Sequence, residues 1–244
     1  MRWELDPDRL AAEWFDNQAN ESFPLPLTYL SRCTHQDEWA AFRARVASEH
    51  IGQEFHELRA NLAMLAKPQA RVEVIGLAGN RHDVAVRALG CVQSDRAVLA
   101  AQRPTGNIVI WALPAVSLPG RLAGILPDVK PGRRKGGRFT RDELNAPEQP
   151  SFLLSAQQRQ TPREQYREIV HAPRELTVSI RSFAGPRYVA PDNVGGFQLF
   201  DVRGDGRYLR YGTGQIIVRP VAETDVKTKI TAILGQARDQ SDLA

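Results

Sequence analysis

The sequence is short of the residues that most often announce chemistry. Its 244 residues contain two cysteines, Cys33 and Cys91, too far apart to read as a disulfide framework or a thiolate metal cluster. No apolar run approaches the roughly 18 residues of a membrane span. The opening Met1-Arg2-Trp3-Glu4-Leu5-Asp6-Pro7 interrupts its apolar residues with charge, so no signal peptide is read there. Together these absences predict a cytoplasmic protein with no membrane partner.

The five histidines do not make up the deficit. His56-Glu57 opens like a metalloprotease helix, but the position of its second histidine is Ala60. His50 and His56 read as surface helix residues, His35 as the residue after a candidate cap, His82 as part of a turn, and His171 as a helix-end residue suited to the dipole. Gly76-Leu77-Ala78-Gly79 lacks the Lys-Ser or Lys-Thr of a phosphate loop. Gly204-Asp205-Gly206 and Gly212-Thr213-Gly214 read as hairpin turns. No Gly-x-Ser-x-Gly elbow is present, and neither cysteine has a sequence-near histidine to activate it. The expectation is a non-enzymatic protein with no cofactor, no metal and no small-molecule substrate.

Charge is nearly balanced, 32 basic against 28 acidic residues for a net charge of +4. The one dense basic run is Lys130-Pro131-Gly132-Arg133-Arg134-Lys135-Gly136-Gly137-Arg138. Its Pro and Gly content predicts a solvated loop. The alternative is a phosphate-binding patch, which would make the chain a nucleic-acid-binding regulatory protein. Nothing in the run interleaves aromatics for base stacking, which weighs against nucleic acid.

What the sequence does contain is periodicity. Arg2 to Leu5 fits a short strand, and Asp6-Pro7 then opens a helix with Leu10, Ala11, Trp14 and Phe15 on one face. Phe23-Pro24-Leu25-Pro26-Leu27 is an extended connector. Thr34 caps a helix to about His50 carrying Trp39, Phe42, Val46 and Ala47, and a further helix from Gln53 to Leu65 carries Phe55, Leu58, Leu62 and Leu65. From Arg71 the period changes. Strands are expected over 71–78, 84–89, 97–101 and 108–113, followed by a short helix with Leu118, Leu122, Ile125 and Leu126.

The second half repeats that order. Thr161-Pro162-Arg163-Glu164 has capping-box spacing and opens a helix through about His171. Strands follow from Leu176 to Phe183 and Phe197 to Val202, at Tyr208-Leu209, and from Ile216 to Val218. A final helix starts near Ala222 with Val226, Ile230, Ile233 and Leu234. Ala78-Gly79-Asn80-Arg81 matches Ala184-Gly185-Pro186-Arg187 at an offset of 106, and Ile108 matches Ile216 at 108, so a two-residue insertion reconciles the halves. The expected architecture is α+β, with pseudo-twofold halves 1–150 and 151–244 forming one compact unit.

The sequence resembles the EspG family, cytosolic chaperones of actinobacterial type VII (ESX) secretion. The resemblance is carried by Trp3-Glu4-Leu5-Asp6-Pro7-Asp8 and the helix with Trp14, by Phe23 to Leu27, and by Leu126-Pro127-Asp128-Val129-Lys130-Pro131-Gly132. It continues through Phe139 to Leu144, Asp205-Gly206-Arg207-Tyr208-Leu209, the strand ending Val218-Arg219-Pro220-Val221, and the last helix. It implies a central antiparallel sheet with two helical bundles. It also implies a function: binding PPE-like (PE–PPE) helical substrates, shielding their apolar tip and keeping them soluble for export. Partner contacts carried over from the family fall on the hairpin turn, Asn80, Arg81 and His82, and on Val226, Ile230 and Ile233 of the last helix. For the turn, plain solvation is the alternative role. For the helix residues the alternative is packing against the sheet.

Overall fold

The alternation that starts near residue 70 closes into one ten-stranded antiparallel sheet. The computed structural model describes residues 1–16, 22–49, 53–79, 83–146, 160–188 and 192–243. The strands are β1 (Arg2–Leu5), β2 (Ala70–Ala78), β3 (Asp83–Gln93), β4 (Arg96–Gln102), β5 (Ile108–Pro114), β6 (Gly137–Thr140), β7 (Arg174–Ala184), β8 (Gly195–Val202), β9 (Gly206–Tyr211) and β10 (Gln215–Pro220). The helices are α1 (Pro7–Asp16), α2 (Gln36–Ser48), α3 (Gln53–Ala66), α4 (Leu118–Ala123), α5 (Arg141–Asn145), α6 (Pro162–Val170) and α7 (Glu223–Ser241). Strand order is β1-β5-β4-β3-β2-β7-β8-β9-β10-β6, which runs through equivalent meanders from either edge. At the centre Val74 of β2 is the register partner of Ile180 of β7. These are the residues that the 106-residue offset relates to each other.

Local chemistry sets most helix starts where the sequence puts them. Asp6 Oδ1 accepts the Arg9 N–H at 3.1 Å, with Pro7 already at a helical φ. The Thr161 hydroxyl accepts the Glu164 N–H at 3.2 Å while the Glu164 carboxylate accepts the Thr161 N–H at 2.8 Å. That reciprocal pair closes the capping box at α6. At α2 the cap falls on His35, one residue beyond Thr34. The Glu38 carboxylate turns back to accept the N–H of Thr34 at 2.9 Å and of His35 at 3.3 Å. The apolar face expected for α2 is only partly used. Val46 is buried, Trp39 and Phe42 are half-buried and Ala47 is exposed, so α2 lies outermost, and His50 is outside the described residues.

Each face of the sheet is covered differently. On one face α4 and α7 bring Leu118, Leu122, Val226, Ile230, Ile233 and Leu234 onto Val72, Val74, Leu99, Val178, Ile180 and Leu199. Burying each such side chain is worth about 1.5–3 kcal/mol, and this cluster spans both halves. Gly90 sits under α4, where a Cβ would lie 3.0 Å from Leu118 Cδ1, so the strand accepts the helix at close range. On the other face the apolar residues form two separate groups. Trp3, Leu10, Trp14, Leu58, Leu62 and Leu65 cover Leu89, Cys91, Val98, Ala100, Ile108 and Ile110. Tyr166, Ile169 and Val170 cover Phe139, Phe200, Tyr208 and Val218.

The basic run is built into the fold, in contrast to the solvated loop expected of it. Arg207 N–H donates to Lys130 O at 2.8 Å and Arg207 O accepts from Gly132 N–H at 3.0 Å, laying the segment parallel to β9. Arg133 N–H donates to Asp205 Oδ1 at 2.8 Å, and Arg134 N–H to Tyr208 Oη at 2.9 Å. Tyr208 Oη in turn donates to Asp205 Oδ2 at 2.7 Å. A Cβ on Gly132 would lie 2.1 Å from the Tyr208 ring, so only glycine passes there. The segment then becomes β6, which pairs with β10 at the sheet edge. Below it, Arg207 holds Asp201 through Nε at 2.7 Å and Nη2 at 2.8 Å, with both residues 3% exposed. Nη2 of Arg207 also reaches Pro127 O at 3.0 Å.

Burial alone would raise the Asp205 carboxyl. The hydrogen bonds from Arg133 and Tyr208, with Arg134 beside them, outweigh it and hold the group below its ordinary value. Burial and the bond to Asp205 push the Tyr208 phenol up to about 12. Replacing Asp205 with alanine removes the acceptor for both donors. It is expected to cost about 2–3 kcal/mol in denaturant unfolding and to speed hydrogen exchange at the Arg133 and Arg134 amides. Because the folded carboxyl is depressed, its contribution is present above the ordinary value of 3.8 and lost as pH falls through the lower folded value. Acidification through that window is therefore expected to destabilise the parent protein more than the variant.

Candidate functional site

Between the two apolar groups of the second face lies the seam of β2 and β7, and the register fixes what stands on it. Ile75 is flanked by Arg87 on β3 and Ser179 on β7, and the row continues through Gln198 on β8 to Arg210 on β9. Five strands at about 4.8 Å spacing make that row roughly 19 Å wide. The neighbouring row is Leu89, Glu73, Arg181 and Gly196, and the next begins Cys91, Arg71 and Phe183. Ile75 is 37% exposed. Arg181 is exposed as well, and Arg87, Ser179, Gln198 and Arg210 are half-buried. The result is a trough floored by sheet and walled by helices.

Its first wall is the connector after α1. Trp14 Nε1 donates to Ser22 O at 2.8 Å, and Arg87 Nη1 donates to Pro26 O at 2.9 Å, tying the connector to α1 and to the sheet. Phe23, Pro24 and Leu25 then line a cavity of about 440 Å³ together with Arg71, Glu73 and Tyr188. Arg71 is 3% exposed. Its Nε lies 3.2 Å from Glu73 Oε1, its Nη1 donates to Gly185 O at 2.6 Å, and its guanidinium lies 4.2 Å from the Phe183 ring centroid. Burial lowers its pKa, an effect that Glu73 opposes. On the opposite wall Arg174 stacks over Phe200 at 4.5 Å and Arg210 over Tyr166 at 5.9 Å.

Cys91 is fully buried on the same face under α3, and burial raises its thiol far above the range of a useful nucleophile. Among the described residues no group of three or more His, Cys, Asp or Glu side chains could hold a metal ion. None of the described helices is long and apolar enough to cross a membrane.

The residues expected to meet a partner are distributed unevenly. Asn80, Arg81 and His82 lie outside the described residues; the strands they join meet at Ala78 and Asp83, where β2 also pairs with Leu176. Val226, Ile230 and Ile233 are 1%, 0% and 3% exposed, inside the core of the opposite face, which fits the packing alternative. The basic segment has Arg133 Nη2 donating to Gly204 O at 2.7 Å and Arg134 Nη1 donating to Glu168 O at 2.6 Å. Arg133 and Arg134 thus serve the protein's own acceptors, which gives a nucleic-acid reading no added support. Sequence reasoning missed the trough row itself. Its signal is Ile75, an apolar side chain on the face of β2 that also carries Arg71, Glu73 and Leu77.

A large antiparallel sheet with helices on both faces defines a protein of the α+β class. The EspG family model matches residues 6–232, and the chain belongs to the EspG family. Among solved structures the chain is similar to the type VII secretion system chaperone EspG5 of Mycobacterium tuberculosis, determined in complex with a PE25–PPE41 dimer. The TM-score is 0.63 at 11% identity, over 97% of this chain and 96% of that chain, a likeness of fold. No curated protein matches the chain.

The burial of α7 makes a direct forecast. Ile230→Ala is expected to cost about 2–5 kcal/mol in urea unfolding, the range of a core truncation that leaves a cavity. A loss below ~0.5 kcal/mol would place Ile230 outside the core.

Proposed function

We propose that this protein is a type VII secretion chaperone that binds PE–PPE-type helical substrates in the cytoplasm and keeps them soluble for export. The observation that carries the reading is the EspG family match over residues 6–232. The fold likeness to EspG5, a chaperone solved with a PE–PPE dimer, supports it. The trough supports it as well, because it is broad and shallow and offers no chemistry.

The physics of the task fits such a surface. A helical tip with exposed apolar residues is an aggregation liability until something covers it. A partner that must later be released needs a modest apolar patch inside a polar rim. Ile75, Leu25 and Tyr188 are 37%, 40% and 70% exposed and supply the patch. Ser179, Gln198 and the arginines around Ile75 supply the rim. The segment Asn80, Arg81 and His82, which joins the same strands, is proposed as a further contact. In this reading the halves 1–150 and 151–244 are copies of one unit acting together. Each contributes one wall and half of the floor, and the protein is not an enzyme.

Co-expression with PE–PPE pairs is the test. A soluble complex that co-elutes in size exclusion is expected with at least one pair. Failure of every pair to be solubilised or retained would overturn the proposal. Within such a complex, Ile75→Asp is expected to raise Kd about tenfold or more while leaving the circular dichroism spectrum unchanged.

A further inference from the structure

The trough is more basic than its purpose as an apolar cover requires. Arg87, Arg181 and Arg210 stand on its floor by register, and Arg174 joins them through its stack on Phe200. Across rows 71–75 of β2 and 177–183 of β7 the single carboxylate is Glu73. Glu73 is already held by Arg71 at 3.2 Å and Arg187 at 3.5 Å. The four floor arginines have neutral acceptors instead, or none. Arg87 donates to Pro26 O at 2.9 Å, Arg210 reaches Gln198 Oε1 at 3.5 Å, and Arg174 donates to Val170 O. Among the described residues none of the four forms an ion pair with a carboxylate, and the Arg181 side chain makes no hydrogen bond, although Glu73 is its register partner across the seam. Arg174 and Arg210 also repel each other. Burial and the charge of Arg210 both draw the Arg174 pKa down.

Uncompensated guanidinium groups around one exposed isoleucine are costly for the free protein and complementary to a particular guest. We infer that the trough selects the acidic end of a helical hairpin, one whose exposed apolar residues are ringed by aspartate or glutamate. This inference rests on the chaperone reading above and adds the charge of the partner to it. The dimensions agree. Two packed helices lie 8–10 Å apart with diameters of about 10–12 Å, so their joined end is roughly 20 Å across. The row from Arg87 to Arg210 spans about 19 Å at the sheet spacing. Carboxylates at the flanks of such a hairpin meet the arginines bidentately while its apolar tip meets Ile75. A nucleic acid fits less well, because the trough puts an apolar side chain, Ile75, at its centre, and Tyr188 alone of its described residues offers a strongly exposed ring.

The test uses the full chain and a PE–PPE pair that it solubilises, with Kd measured from about 50 to 500 mM salt. Arg181→Glu and the double variant Arg181→Glu/Arg210→Glu are each compared with Arg203→Glu. The last makes the same change of net charge as Arg181→Glu, on an exposed hairpin residue outside the trough. The expected result is a Kd that rises about tenfold or more for each trough reversal and a flattened salt dependence. Arg203→Glu is expected to leave Kd unchanged, and reversing acidic residues at the client tip is expected to restore binding to the trough variants. A Kd indifferent to salt and to both reversals, with Ile75→Asp still weakening the complex, would overturn the acidic guest while leaving the chaperone reading intact. No complex with any pair would overturn both. Salt-sensitive binding of duplex DNA that is lost in Arg181→Glu and competes with the client would assign the arginines to nucleic acid instead.

Discussion

Strands β2 and β7 pair over nine residues, from Ala70 opposite Ala184 to Ala78 opposite Leu176, and that ladder makes one sheet out of two meanders. Everything else is organised about it. On one face the seam residues Val72, Val74, Val178 and Ile180 form the floor on which α4 and α7 pack, so the largest apolar cluster is shared by both halves. On the other face the helices stand back from the seam, leaving its polar alternates open. A β-strand has to send successive side chains to opposite faces. The same ladder that buries valine and isoleucine below therefore sets Ile75, Ser179 and Arg181 above it. The core and the trough are two sides of one register. A one-residue slip would invert both.

The sheet needs a second kind of fastening at its outer end, where β9 and β10 have less to pack against. Arg207 supplies it through both its parts. Its backbone holds Lys130 and Gly132, and its side chain holds Asp201 and Pro127 in a buried, bidentate arrangement. Buried ion pairs are costly to desolvate and seldom add much net stability, but they tolerate few geometries. Here that selectivity fixes where the segment after α4 crosses to the far edge. Asp205 and Tyr208 repeat the device one layer nearer the surface.

Much of this was legible in the sequence, because it depends on local rules. The period change near residue 70, the caps at Asp6 and Thr161, and the repeated order of strands all follow from side-chain spacing. Val74 and Ile180, which the offset of 106 relates, are register partners at the seam, although neither half says that the two must pair through β2 and β7. What stayed hidden depends on distant partners. The run from Lys130 to Arg138 has the composition of a solvated loop, and only the arrival of Asp205, Arg207 and Tyr208 turns it into structure. The α2 stripe looked like a core face because Trp39 and Phe42 are large. The layer it would need is already filled by α1 and α3. The trough was invisible for the same reason, since Arg87, Ser179 and Arg210 come into one row only through four ladders.

The edge strand β6 also carries a consequence in time. It belongs to the first half by chain order and to the second by position, since its partner β10 begins at Gln215 while β6 ends at Thr140. At about 5–20 residues per second, translation leaves β6 without its partner for roughly 4–15 s. For a similar interval β2 waits as a bare edge for β7. A nascent chain of this kind cannot finish either side of its sheet until most of it has left the ribosome. The final closure is then a late event, completed by β10 and α7 after the strands of the trough floor.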